Sequence, residues 1–275
     1  MIAKLTKYEF RSSIKLMSMI WGALIVVSIL FAITEGITNA RTLSTTADVV
    51  ETSRFGLYDI LTTTTIMLYS LIACAIVVIT VLIIIQRFYN SLLGDEGYLI
   101  NTLPVKMWQI ITSKGIAATC LVIMSFIVGI ISIMIMAHAS MFNVFKELAE
   151  MISKDPMIIL IVIEIIFVCV LGVIKSVYQI YASIAIGQLV NRHRVLSSIG
   201  SYIGISIALT IIASVLFSLL SGLGIVEKLY FMMEPLSDLN SFHLVILGIA
   251  LLEIIQIVPF HIVSERILSC KLNLL

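Results

Sequence analysis

The sequence has very little charge for its length. Only 12% of its 275 residues are Asp, Glu, Lys or Arg, while 60% are apolar. Soluble domains carry about twice that share of charged residues, roughly a quarter. A soluble globule of this size needs a large polar surface, so the composition excludes an ordinary soluble fold. The net charge of +1 also lacks the concentrated positive charge that is typical of nucleic-acid-binding proteins.

Signatures of structural disulfides and of catalysis are missing as well. Three of the four cysteines lie inside apolar runs and the fourth, Cys270, lies near the C-terminus, so no pair is placed for an extracellular disulfide. The sequence contains no H-E-x-x-H, G-x-S-x-G or G-x-x-x-x-G-K-[ST], and His261 with Glu265 supplies only two metal ligands. We therefore expect neither an enzyme nor a chain that binds ATP, a metal or another cofactor by itself.

Six long apolar runs are present instead. A helix needs about 20 mostly apolar residues to cross a hydrocarbon core of roughly 30 Å, and in lipid its backbone groups must bond within the segment. The predicted spans are Leu16–Ile33, Ile60–Ile85, Ile110–Met136, Met157–Ile174, Leu196–Leu220 and Phe242–Val263. The fourth can continue through residue 189 as a longer helix. The predicted fold class is all-α integral membrane, with residues 16–275 as a single six-helix transmembrane domain.

The distribution of Lys and Arg predicts the orientation. The side of the membrane that holds both termini carries eleven of these residues, whereas the other side carries five, together with ten acids. Positive residues mark the cytoplasmic side, so both termini are predicted to be cytoplasmic. A basic arm before an apolar run is also typical of a signal peptide. We expect a retained helix, because the run is long and no clear A-x-A cleavage site follows it.

Residues 1–15 form that basic arm. Apolar and basic residues alternate in it at roughly helical spacing: Ile2, Leu5, Phe10 and Ile14 with Lys4, Lys7, Arg11 and Lys15. The pattern predicts an amphipathic helix on the inner leaflet, with its basic residues near anionic headgroups. The alternative is an ordinary basic anchor that only sets the topology. The two interpretations are compatible.

The longest cytoplasmic connection, residues 86–109, combines apolar and acidic elements. Its apolar and aromatic members are Phe88, Tyr89, Leu92, Leu93, Tyr98, Leu99 and Leu103. Gly94 and Gly97 bracket Asp95 and Glu96, which predicts a turn with an acidic tip, and Asp95 is placed to cap a short helix. If the apolar side chains are exposed, they form a docking surface for another protein. The alternative is that they pack against the inner ends of spans two and three.

Three ionisable residues, Glu164, Lys175 and Glu253, fall within or at the edges of the apolar runs. Each costs about 2.5–3.5 kcal/mol in lipid on insertion scales, so each is expected to face protein or water. Glu164 and Lys175 are separated by about 16 Å along one helix and cannot pair with each other. Glu164 and Glu253 are candidate pathway residues; the alternative is that they are protonated acids, hydrogen-bonded within the bundle. Lys175 is expected near the inner surface, and His243 at a membrane interface.

Gly200 and Gly204 form a G-x-x-x-G motif at the start of the fifth span. Small residues at this spacing allow two helices to approach closely. The contact can lie within the chain or between two copies, and the sequence does not distinguish these alternatives.

Three blocks of the sequence are distinctive. Residues 87–105 read RFYNSLLGDEGYLINTLPV. They are similar to FYxxLLGDEGYLxxTLPV, the first cytoplasmic loop of ABC-2-type transporter permeases of Gram-positive bacteria. Residues 5–11 resemble the family's N-terminal arm and its K-Y-E-F element, which is Lys7, Tyr8, Glu9 and Phe10 here. Residues 187–194, GQLVNRHR, resemble the cytoplasmic end of its fourth span.

The resemblance implies a type V exporter-like permease fold with an amphipathic interface helix at the N-terminus and a cytoplasmic coupling helix. It places in the coupling segment Leu92, Leu93, Gly94, Asp95, Glu96, Gly97 and Tyr98. The implied partners are two copies of an ATPase subunit, which bind ATP and Mg, a second identical or homologous permease, and the lipid bilayer. The implied function is ATP-driven export of a peptide, an antimicrobial or a lipophilic compound across the bacterial cytoplasmic membrane.

Two other functions stay open at this point. One is a secondary transporter coupled to an ion gradient through Glu164. The other is a membrane sensor or accessory protein that transports nothing and whose loop binds a regulator.

Overall fold

The computed structural model describes residues 2–45, 57–92, 105–190, 194–233 and 238–270. Every regular element within these ranges is an α-helix. The helices are α1 Ile2–Thr45, α2 Leu57–Leu92, α3 Met107–Lys154, α4 Met157–Gly187, α5 Arg194–Gly222, α6 Ile225–Met233 and α7 Asp238–Cys270. The predicted all-α class is therefore confirmed for the described part of the chain.

All of these helices except α6 are long and apolar enough to cross a membrane. Each predicted span lies inside one of them, so six candidate spans are confirmed and the chain is a multi-pass membrane protein. Many of their large apolar side chains are exposed, for example Phe126 at 69% and Phe217 at 65%. Exposed apolar area is unfavourable in water by about 25 cal/mol per Å², a cost that contact with lipid tails removes.

Several helices continue well beyond the predicted spans. The arm is not separated from the first span, because α1 is one continuous helix from Ile2 to Thr45. No glycine or proline occurs before Gly22, so each added residue extends the backbone hydrogen bonding without interruption. The longer alternative for the fourth span matches α4, which runs to Gly187. The short helix α6 was not predicted.

The chain forms two compact units. The first contains Met1–Thr6, Ile84–Thr119 and Met151–Leu275, and the second contains Lys7–Ile83 and Cys120–Glu150. The core of the second unit joins α1, α2 and α3 and consists of Met17, Trp21, Leu24, Ile76, Ile83 and Leu121.

Two side-chain hydrogen bonds accompany this core. Trp21 Nε1 donates to Ser125 Oγ at 3.1 Å, and the hydroxyls of Tyr69 and Ser132 lie 2.9 Å apart. Polar groups within apolar helices need such partners, and interhelical hydrogen bonds help to hold transmembrane helices together. They connect α3 to both α1 and α2.

In the first unit, α4 packs against both α5 and α7. Gln179 Nε2 donates to Ser206 Oγ at 2.8 Å and connects α4 to α5. Helix α5 has no buried residue. Nothing lies within 4 Å of a Cβ built at Gly200 or Gly204. Among the described residues, the G-x-x-x-G motif therefore makes no close contact within the chain.

Candidate functional site

Two polar pairs connect α4 to α7. Glu164 Oε2 lies 2.8 Å from His243 Nδ1, and Lys175 Nζ donates to Glu253 Oε1 at 2.8 Å. Both pairs advance in the same direction along the two helices, so α4 and α7 run parallel. Parallel packing is expected of two spans that are separated by one span in the sequence, because successive crossings alternate in direction.

The Lys175–Glu253 pair lies near the middle of both helices. The side chains are 23% and 16% exposed, so the pair is largely shielded by the chain itself. Lys175 was expected to reach toward the inner surface, but its charge is compensated by Glu253 instead. His243 was expected to be a surface residue, whereas its side chain is 17% exposed and contacts Glu164. Glu164 and Glu253 thus each hydrogen-bond to a side chain of the neighbouring helix.

Three ionisable side chains of α7 carry buried polar atoms. The buried atoms Glu253 Oε2, His243 Nε2 and His261 Nδ1 have no partner among the described residues. His243 and His261 share a face of α7, because they are separated by about five helical turns. Ionisable side chains inside membrane spans commonly line solute or ion pathways, so α4 and α7 are the candidate pathway helices.

An aromatic cluster, consisting of Phe88, Tyr178, Tyr181 and His261, joins α2, α4 and α7. The rings of Phe88 and Tyr181 stack with centroids 4.0 Å apart and an interplanar angle of 14°. Tyr178 stands edge-on to Tyr181 at 6.1 Å and to His261 at 5.2 Å. Stacked and edge-on arrangements are the favourable geometries for aromatic pairs. The cluster fixes the C-terminal end of α2 to α4.

The first residues of the connection at 86–109 are buried, and Phe88 packs against the fourth span instead of the expected second and third spans. Phe88 is fully buried and Leu92 is 3% exposed. Both therefore pack against helices of their own chain and contribute nothing to an exposed docking surface. The other predicted coupling residues lie outside the described residues: Leu93, Gly94, Asp95, Glu96, Gly97 and Tyr98.

The K-Y-E-F element of α1 is divided between two faces of the helix. Phe10 packs against the core of the second unit, and Glu9 is partly buried. Lys7 and Tyr8 are exposed. One side of the element thus holds the helix in place, whereas the other is free to contact lipid or another protein.

Two glycines allow close contacts within the first unit. A Cβ at Gly115 would lie 2.7 Å from Tyr178 Oη, and a Cβ at Gly187 would lie 2.6 Å from the Cα of Ser198. Side chains do not pack at such distances, so the first turn of α5 approaches α4 only because residue 187 is glycine. This is the physical role of the glycine that begins the block at residues 187–194, GQLVNRHR.

Gly187→Ala should destabilise the chain by about 1–3 kcal/mol, because the backbone of Ser198 has to move. The matched control is Gly172→Ala in the same helix, where nothing lies within 4 Å of the new Cβ. That change should be neutral or stabilising by up to about 1 kcal/mol. Thermal unfolding in detergent measures both. Equal tolerance of the two substitutions would show that α4 and α5 do not meet as described.

The chain matches no protein-family model, no curated protein and no solved structure. The two predicted pathway residues, Glu164 and Glu253, lie on two helices that pack against each other, α4 and α7. Their partners, His243 and Lys175, were not recognised as partners. The sequence did contain a signal for this pairing. Glu164 and Lys175 are eleven residues apart on α4, and His243 and Glu253 are ten residues apart on α7.

Proposed function

We propose that this chain is the permease subunit of an exporter in the bacterial cytoplasmic membrane, driven by ATP hydrolysis on separate ATPase subunits. Six candidate spans and the GDEGYL block at residues 94–99 support it. The main support is that α2 and α3, the helices before and after this block, both contact α4. A segment that receives motion from an ATPase is useful only if the spans beside it follow that motion.

Each helix next to the predicted coupling segment contacts one of two neighbouring tyrosines of α4. On the α2 side, Phe88 stacks on Tyr181. On the α3 side, Gly115 lies directly against Tyr178. A displacement of the segment between them is therefore passed to α4 instead of being absorbed by loosely held helix ends.

Helix α4 then links this end of the unit to the candidate pathway. Beyond the tyrosines it carries Lys175 and Glu164, which are bonded to Glu253 and His243 of α7. A shift of α4 relative to α7 changes these two pairs and the surroundings of the buried atoms Glu253 Oε2 and His243 Nε2. Rearrangement of packed helices between discrete positions is a common way for proteins to switch between states.

A second permease, identical or homologous, completes the pathway in this proposal. The open face of α5 with Gly200 and Gly204 supports such pairing, because small residues favour close helix contacts in membranes. The transported compound is a peptide, an antimicrobial or a lipophilic molecule, in keeping with apolar spans that contain few charges.

Purification of the tagged chain together with its ATPase in mild detergent tests the proposal. Asp95→Lys with Glu96→Lys should weaken the association at least tenfold, a loss that repulsion at a charged contact commonly produces. The control is Glu147→Lys with Asp155→Lys, which changes the net charge equally on the opposite predicted side. Retention of the ATPase by the Asp95/Glu96 variant at the level of the control would refute a coupling contact at these residues.

A secondary transporter is the second candidate. The Glu164–His243 pair favours it, because it places an imidazole and a carboxyl group 2.8 Å apart between two candidate spans, and ionisable side chains inside the membrane commonly mark ion pathways. Transport driven by a proton or sodium gradient in vesicles without ATP would favour this candidate over an ATP-driven exporter.

A further inference from the structure

A groove of about 300 Å³ lies on the outward face of α1 and is lined by Tyr8, Arg11, Ser12 and Lys15. We call it the α1 groove. Residues at this spacing share one face of a helix. The side chain of Tyr8 is 85% exposed. Arg11 and Lys15 form no ion pair within the part of the chain that the structure describes. The groove therefore presents two positive charges that no described residue compensates, together with the exposed hydroxyl of Tyr8.

The rotation of α1 is set by packing on its other side. Phe10, Ile14 and Met17 contact or belong to the core of the second unit. Ser13 is buried on the same side and donates to the carbonyl of Glu9 at 3.2 Å. The groove thus faces away from the core, because turning it inward would remove these contacts.

An exposed apolar stripe continues from the groove along the same helix face. It contains Met19, which is 68% exposed, and Val26, which is 57% exposed. Between them is Gly22, and nothing lies within 4 Å of a Cβ built there, so the stripe has a shallow notch. Lys15 and Val26 are separated by about 16 Å along the helix axis. That length is close to half of a hydrocarbon core of roughly 30 Å.

We propose that this face of α1 binds one anionic phospholipid. Its phosphate lies in the α1 groove, where Arg11 and Lys15 supply positive charge and the hydroxyl of Tyr8 donates a hydrogen bond. Its acyl chain lies along the stripe beside Gly22. The inference requires only that the chain spans a membrane and is independent of ATP-driven export.

The order of the groups along α1 is what selects a phospholipid. Lys15 directly precedes the apolar run that begins at Leu16, so the positive charges lie at headgroup depth. Guanidinium groups pair with phosphate through two parallel hydrogen bonds. An acidic protein surface would satisfy the charges but not the apolar stripe, and a free phosphate ion would use neither the stripe nor the notch.

Titration of the detergent-solubilised full chain with short-chain phosphatidylglycerol and phosphatidylcholine, followed by native mass spectrometry, tests the proposal. We expect phosphatidylglycerol to bind on the order of tenfold more tightly, and Arg11→Gln with Lys15→Gln to remove this preference. The control, Lys7→Gln with Lys106→Gln, loses the same charge on the same predicted side of the membrane and should keep the preference. All of these residues are exposed, and thermal unfolding verifies that the variants are folded.

Gly22→Leu separates a lipid from a simple anion, because it fills the notch without changing any charge. It should weaken binding of phosphatidylglycerol severalfold and leave inorganic phosphate binding unchanged. Equal affinity for the two lipids, or an unchanged preference in the Arg11/Lys15 variant, would overturn the proposal. Displacement of the lipid by inorganic phosphate at equal concentration, with no effect of Gly22→Leu, would show an anion site in place of a phospholipid site.

Discussion

Replacing Lys175 with methionine should destabilise the chain by about 3 kcal/mol, because the shielded carboxylate of Glu253 loses its partner. Methionine keeps the length and the apolar stem of lysine, so little packing is lost. The other carboxylate oxygen, Glu253 Oε2, has no hydrogen-bond partner among the described residues, so Lys175 is the partner that the structure shows for this carboxylate. Unfolding of the chain in lipid nanodiscs measures the loss.

The double variant Lys175→Met with Glu253→Gln should recover most of this stability, because neither charge then remains. Ser176→Ala is the matched control; it changes an exposed neighbour whose hydroxyl only bonds to its own helix, at the carbonyl of Gly172. A stability loss in Lys175→Met no larger than in the control would mean that the ion pair does not hold α4 to α7. Failure of the double variant to recover would point to a role for Lys175 outside this pair.

Replacing Phe88 with alanine should have a comparable effect on stability and a larger one on export. The ring is fully buried and stacks on Tyr181, and deletion of a buried phenylalanine costs about 3–5 kcal/mol. The loss releases the C-terminal end of α2 from α4. We therefore expect ATP-driven export per assembled complex to fall more than the amount of complex does.

Phe126→Ala is the matched control, because it removes the same ring from a position that is 69% exposed. Its effect on stability should stay within about 0.5 kcal/mol, as is usual for exposed positions. Unchanged stability in Phe88→Ala would contradict the packing of α2 on α4. Reduced stability with full export per complex would leave the packing intact and remove its proposed role in coupling.

The number of spans could be predicted from the sequence because apolar length is a local property. A run of about 20 apolar residues predicts a transmembrane helix, whichever other helices that helix packs against. The helix ends were harder, since backbone hydrogen bonding does not stop where the hydrocarbon ends. Helix α1 begins at Ile2 and α3 continues to Lys154, both far outside the predicted spans. Helix α6 has only nine residues and mixes apolar with charged ones, a stretch too short for a helical pattern to be recognised in the sequence.

The candidate site could be predicted only in part, for a related reason. Glu164 and Glu253 were flagged because a charge in lipid is costly wherever it occurs. Their partners depend on which helices pack together and in what direction, and no local pattern contains that information. Gly187 stood in a recognisable block, but its closeness to Ser198 is a property of the packed helices. Phe88 lies in the connection at residues 86–109, where an exposed docking surface was one interpretation. Its ring is instead buried against Tyr181, a contact between helices that the sequence alone does not show.

The rate of ATP hydrolysis by the proposed partner ATPase is the most direct test of the proposed ATP-driven export through this chain. It is measured for the ATPase alone, with the wild-type chain in lipid nanodiscs, and with the chain that carries Asp95→Lys and Glu96→Lys. We expect the wild-type chain to raise the rate severalfold and the variant to leave it at the basal value. Equal rates with both chains, or no stimulation by the wild-type chain, would show that these residues do not couple it to an ATPase.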